Sequence, residues 1–212
     1  YGFVPIALTA AAVFWLLARD APNRVRVATP MVGRLSVLRD APLAWVLILF
    51  YFVTFGAFVA IGGLLPMLLV SLHHLAVTDA GARAGGFILI ATLARPIGGY
   101  LADRWSAAIV LDVAFSIITI LAVLLAFEPM MSGTTVGYLG MAAALGLGNG
   151  AVFKFVASTF PAQTGTVGGL VGAAGGLGGF FPPLVLGMVR DVTGSTAVSM
   201  MLLSEFALIC LL

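Results

Sequence analysis

The sequence predicts an all-α, multi-span membrane protein, and three observations carry that reading. Hydrophobic residues make up 62% of the 212 residues and charged residues only 8%, where a soluble domain has about 25% charged. The apolar residues fall in long runs, near the length of about 20 residues that a helix needs to cross a hydrocarbon layer about 30 Å thick. The runs lack the alternation of a membrane β-barrel, and a spanning segment must satisfy its own backbone hydrogen bonds, which leaves the helix.

The same composition excludes several classes. The single Cys210 lies in an apolar run, so neither a disulfide framework nor a cysteine metal site is expected. The net charge of +2 and the pI near 9.0 do not point to nucleic acid, because the basic residues cluster beside the apolar runs, where they set topology. No signal peptide with a charged head and a cleavage site is visible. The chain starts at Tyr1 and ends inside LLSEFALICLL, which reads as part of a longer, transporter-sized protein.

In chain order, spans are predicted near 3–18, 43–71, 84–102, 107–127, 134–157, 164–189 and 196–212. The one long polar connection, 19–42, carries Arg19, Arg24, Arg26, Arg34 and Arg39 and reads as a proline-broken linker. With loops taken alternately on the two sides, Arg104 and Lys154 join those five, while Arg83 and Arg190 stand opposite. The excess places the linker in the cytoplasm.

In the span 43–71, Tyr51 and Phe55 are four residues apart and share a helix face. They read either as packing between helices or as one wall of a substrate slot with the Tyr hydroxyl as a polar handle. His73 and His74 follow at the outer surface. As chain neighbours they do not share a helix face, and no metal site is expected there.

The span 84–102 holds the most informative residue. In GGFILIATLARPIGGYLADR, Arg95 lies about 12 Å inside the surface that Asp103 and Arg104 mark. Its guanidinium stays charged. A buried cation costs about 2.5 kcal/mol or more to insert and is by default a functional-site hypothesis. Pro96, directly after it, removes a backbone donor and favours a kink. Asp103 and Arg104 are expected to anchor and pair at the interface.

The later spans offer weaker signals. Asp112 lies close enough to the start of 107–127 to reach water or pair with a helix end. In 134–157, Gly146, Gly148 and Gly150 bracket Asn149, a polar residue expected to hydrogen-bond a neighbouring helix or a ligand. Lys154 is close enough to the cytoplasmic end to snorkel. The span 164–189 is the most biased: Gly165/Gly169, Gly168/Gly172/Gly176 and Gly175/Gly179 keep i,i+4 spacing. This is small-residue packing on more than one face, or close approach to a small ligand. Pro182 and Pro183 then bend or break the helix. Glu205, in the last run, receives no role.

Several stretches resemble the nitrate/nitrite porter family of the major facilitator superfamily: YFVTFGAF (51–58), ARPIGG (94–99) leading into Ala102-Asp103-Arg104, GLGNGAVFK (146–154), and above all GGLVGAAGGLGGFFPPLVLG (168–187). The last is similar to that family's glycine-rich signature. The resemblance covers nearly the whole chain and implies the last seven of twelve transmembrane helices. Residues 1–18 would end the sixth helix, 19–42 would be the central cytoplasmic loop, and 43–212 the C-terminal six-helix half. It implies substrate-binding roles for Arg95, Tyr51, Phe55, Asn149, Gly172, Gly175 and Gly176. Arg95 matches the arginine that this half contributes to a two-arginine clamp, Tyr51 and Phe55 match aromatics that sandwich a flat anion, and the glycines and Asn149 lie in segments lining the site.

The expectation is therefore secondary active transport of nitrate and/or nitrite across the inner (plasma) membrane by alternating access. The partners would be the anion, the lipid bilayer and an N-terminal half with the second arginine, without nucleic acid, cofactor or metal. No carboxylate lies deep in the central spans, so proton symport and nitrate/nitrite exchange stay open as coupling modes. The alternatives are a porter for another small anion or organic acid, an inactive truncated membrane protein, or a membrane-embedded enzyme. The last would need a catalytic constellation that the sequence lacks.

Overall fold

In the computed structural model, residues 3–18, 36–127 and 129–212 are described, and these form helices joined by short turns. They divide into two compact units, Tyr1–Arg34 and Leu35–Leu212. Within the first, α1 is the apolar helix Phe3–Leu17. Most of the predicted polar linker, 19–35, and Glu128 lie outside the described residues.

The second unit starts with α2 (Val37–Asp40), a single turn inside the predicted linker, where the Trp45 indole N–H donates to the Leu38 carbonyl at 2.8 Å. The helices α3 (Pro42–His73), α4 (Val77–Arg104), α5 (Ala107–Ala126), α6 (Met131–Thr159), α7 (Thr164–Thr193) and α8 (Thr196–Ile209) follow. Helices α3 to α7 are each long and apolar enough to cross a membrane, whereas α1 and α8 are shorter apolar helices.

The local chemistry explains the ends. Pro42 opens α3 at a position where its missing N–H costs nothing. His74 closes α3 in the left-handed region at φ 52°, and Gly194 closes α7 at φ 69°, where glycine has no Cβ to clash. The Ser195 hydroxyl accepts from the Ala197 N–H at 3.1 Å and caps α8. Helix α4 begins at Val77 rather than near 84, because its polar first turn supports itself: Arg83 Nε donates to Asp79 Oδ2 at 3.2 Å, one turn back.

Glycine sets the packing. Helix α3 lies along α7, where a Cβ on Gly56 would fall 2.6 Å from the Gly178 carbonyl oxygen, and one on Gly178 would meet the Phe52 carbonyl. Helix α4 lies along α6 through Gly98 against Leu147, Gly146 against Ala91 and Gly150 against the carbonyl of Arg95. The small-residue patterns thus bring backbones into contact at both interfaces, the packing that lipid-embedded helices favour. Phe87, Phe115, Leu145 and Val152 fill the core between α3, α4, α5 and α6.

At one end of this unit, Asp103 of α4 forms an ion pair with Lys154 of α6. The expected partner, Arg104, is its chain neighbour on a diverging face, whereas the α4–α6 packing brings Lys154 alongside. Asp112 is exposed and makes no ion pair among the described residues.

Candidate functional site

The site forms where α3, α4 and α6 meet. On α3, Tyr51, Phe55 and Phe58 are spaced four and three apart and share one face. Tyr51 is 8% exposed, and its ring stacks on Phe55 with centroids 5.3 Å apart and planes inclined by 20°. Phe153 of α6 meets the Tyr51 ring edge-on at 4.8 Å. Tyr51 and Phe55 therefore make one continuous wall and leave no slot for a ligand between themselves.

Arg95 reaches that wall from α4. Its guanidinium carbon lies over the Phe58 ring, 4.8 Å from the centroid, and 5.4 Å from that of Phe55. Both distances are within the range of a cation–π contact. The Phe58 ring stacks in turn on the fully buried Phe87, at 6.2 Å and 13°. The Arg95 Nε–H is buried and has no hydrogen-bond partner, and no ion pair to Arg95 occurs among the described residues. A guanidinium bound on its face by aromatics keeps its in-plane N–H donors available.

Asn149 is 2% exposed, and neither its amide nitrogen nor its carbonyl oxygen has a hydrogen-bond partner. The interhelical bond expected for it is absent among the described residues. Its chain neighbour Gly150 packs on the Arg95 carbonyl, and Gly146, one turn back, packs on Ala91 and Ala94 of α4. Phe153, one turn on, meets Tyr51. Asn149 therefore lies on the stripe of α6 that runs between the Arg95 helix and the Tyr51 helix.

The three glycines separate. Gly175 is buried against Tyr51: a Cβ there would overlap the tyrosine ring and fall 3.4 Å from Phe55. It seats the aromatic wall. Gly172 and Gly176 are exposed, and a Cβ at either would meet nothing within 4 Å. They share the open side of α7 and touch neither Arg95 nor Tyr51. The sequence pattern did not single out Phe58, Phe87 or Phe153. For Phe58 a signal existed, since it extends the Tyr51–Phe55 spacing by one turn; Phe87 and Phe153 are far from α3 in sequence.

Among the pockets elsewhere in this unit, two half-open ones hold neither Arg95 nor Asn149. One of about 140 Å³ is bounded by apolar side chains of α3, α7 and α8, including Phe52, Pro182 and Phe206. Another of about 290 Å³ lies between α3, α4 and α6 near Arg83 and Thr135. His73 Nε2 lies 3.0 Å from the Thr134 hydroxyl, which itself donates to the Pro129 carbonyl at 2.9 Å. That histidine ties the end of α3 to the start of α6.

A helical unit around one half-buried cation, with a buried Nε–H and no ion pair among the described residues, is the setting in which comparison with known proteins becomes informative. The family model described as Major Facilitator Superfamily matches residues 1–183. The chain belongs to the major facilitator superfamily. Its relatives include the nitrite extrusion protein of Bacillus subtilis (strain 168), 49% identical over 77% of this chain and 42% of that protein. The probable nitrate/nitrite transporter NarK2 of Mycobacterium tuberculosis (strain ATCC 25618 / H37Rv) is 39% identical over 99% of this chain and 54% of its own length. The probable nitrate transporter NarT of Staphylococcus haemolyticus (strain JCSC1435) is 41% identical over 88% and 49%. The chain thus spans about half the length of these curated relatives.

Among solved structures, the transporter FucP in its outward conformation superposes with a TM-score of 0.78 at 18% identity, covering 98% of this chain and 51% of that one. At that identity the likeness speaks to fold. Together these findings make this superfamily member a multi-pass protein of the inner membrane with the fold of transporters rather than of an enzyme.

Proposed function

We propose that this superfamily member forms the C-terminal half of a secondary active transporter of nitrate and/or nitrite, preceded by the end of a sixth helix and a central cytoplasmic loop. The observation that carries the proposal is Arg95: a cation within a spanning helix, bound on its face by Phe58 and Phe55, with a buried N–H that nothing among the described residues accepts. The names of its relatives supply the substrate class.

The chemistry fits a small planar anion. A guanidinium presents parallel N–H donors to two oxygens of one anion, which a lysine ammonium cannot match. The Asn149 amide adds a neutral donor nearby. The Tyr51–Phe55 wall gives the flat anion an apolar face, and Gly175 fixes that wall in place. An N-terminal half supplies the second arginine. With no carboxylate paired to Arg95 among the described residues, two arginines repel until an anion binds between them. Binding then draws the two halves together and favours the occluded stage of alternating access.

Proteoliposomes containing the two-halved transporter, loaded with nitrite and diluted into labelled nitrate, test this directly. Arg95→Lys removes one of two charge-assisted hydrogen bonds, each worth about 1.5–3 kcal/mol, so exchange at limiting substrate falls about 10- to 100-fold. Full exchange by the lysine variant would refute the clamp. Absence of exchange in correctly inserted wild-type protein would refute the substrate assignment. A repeat under an imposed pH gradient separates exchange from proton symport.

A further inference from the structure

We propose that Phe58, backed by Phe87, is the positioning residue of this site: its ring stands where a counter-ion would otherwise be, and holds the Arg95 guanidinium without occupying any of its N–H donors. The inference rests on the anion-transport reading for its substrate, but its central claim concerns two residues of this chain.

A cation within a lipid-spanning helix needs compensation. The usual device is a carboxylate. Beside a site that must bind and release an anion, a carboxylate would be a permanent competitor, because it accepts through the same in-plane donors that the ligand needs. A ring face stabilises the cation through its quadrupole and accepts nothing in the guanidinium plane. The structure shows that arrangement: the guanidinium carbon is 4.8 Å from the Phe58 centroid, while the buried Nε–H has no acceptor among the described residues.

Phe55 is the more distant ring at 5.4 Å, and it is already stacked on Tyr51. Phe58 differs in its support. Its other neighbour is Phe87, which is fully buried and lies almost parallel to it at 13°. Phe87 comes from α4, the helix that carries Arg95, so the ring that orients the cation is itself held by the cation's own helix. Phe55 thus belongs to the anion's wall, and Phe58 to the cation's seat.

The test replaces Phe58 with phenylalanines bearing one, two and three fluorines, which keep its size and progressively weaken the negative ring face. In the two-halved transporter the nitrate KM is expected to rise stepwise, reaching about 3- to 30-fold for the trifluoro ring, with kcat nearly unchanged. Phe58→Tyr should retain the wild-type KM, and the smaller, non-aromatic Phe58→Leu should raise it at least as much as the trifluoro variant. Thermal melting without any anion supplies a second readout. The melting temperature should fall with each fluorine in the wild-type background and stay level in an Arg95→Gln background.

A level KM and level melting across the series, with Phe58→Leu active, would overturn the proposal. Sloping melting curves without nitrate or nitrite transport by the wild-type protein would uphold the seat and overturn the transport reading alone.

Discussion

At the scale of single residues, the candidate site is marked by polar groups left unpaired among the described residues. A buried amide without hydrogen bonds costs about 1–3 kcal/mol, and Asn149 bears that cost at both ends of its side chain. Removing the amide should therefore help folding and harm function. Asn149→Leu, which keeps the same branching of four heavy atoms, is expected to raise the melting temperature by about 2–4 °C while reducing nitrate exchange at least several-fold. A variant that lost stability instead would mean that the amide has a structural partner. Arg95 and Asn149 could each be picked out from the sequence, because a charge or an amide in an apolar run is conspicuous. Their lack of partners could not, since the sequence does not specify which helices lie within reach to offer an acceptor.

At the scale of elements, the glycines fall into two groups that composition alone does not distinguish. Gly98, Gly146 and Gly150 bring α4 and α6 into backbone contact at the level of Arg95. In Gly150→Ala the new methyl would overlap the Arg95 carbonyl, so a helix must shift. We expect a loss of about 1–3 kcal/mol and, because the shift moves the backbone that carries the guanidinium, a loss of transport beyond the loss of folded protein. Gly63 on α3 is exposed, with nothing within 4 Å of a Cβ. Gly63→Ala should stabilise the helix by about 0.5–1 kcal/mol. Melting of both variants in detergent checks the contrast, and equal effects would contradict the packing. The small-residue spacing of α7 was legible as a packing signal. That Gly175 seats Tyr51 while Gly172 and Gly176 remain open depends on which side of α7 meets α3.

At the scale of the whole molecule, the basic residues set orientation. The α4–α5 turn and the end of α6, with Arg104 and Lys154, are expected to face the cytoplasm, and the α3–α4 turn the outside. The native thiol offers a quiet background, since Cys210 is buried. A membrane-impermeant maleimide applied to intact cells should label His74→Cys, and Ser158→Cys only after permeabilisation. The reverse pattern would invert the topology. The pairing of Asp103 with Lys154 lies on the predicted cytoplasmic side; both side chains are partly exposed, so it contributes at most about 1 kcal/mol to joining α4 and α6.

Read as a string of residues, the chain already specifies its class, the approximate bounds of its helices, the residue that carries charge into the membrane, and a family resemblance that the comparisons support. Those features follow from the apolar run length that a bilayer demands and from the cost of burying charge, both of which are local in sequence. The three-dimensional packing was needed to show that Arg95 rests on Phe58 with Phe87 behind it, that Phe153 and Gly175 close around Tyr51, and that Asp103 chooses Lys154 over its neighbour. Each of those arrangements joins residues on different helices. Helix crossings are set by where backbones can approach, which a one-dimensional pattern of glycines permits but does not assign.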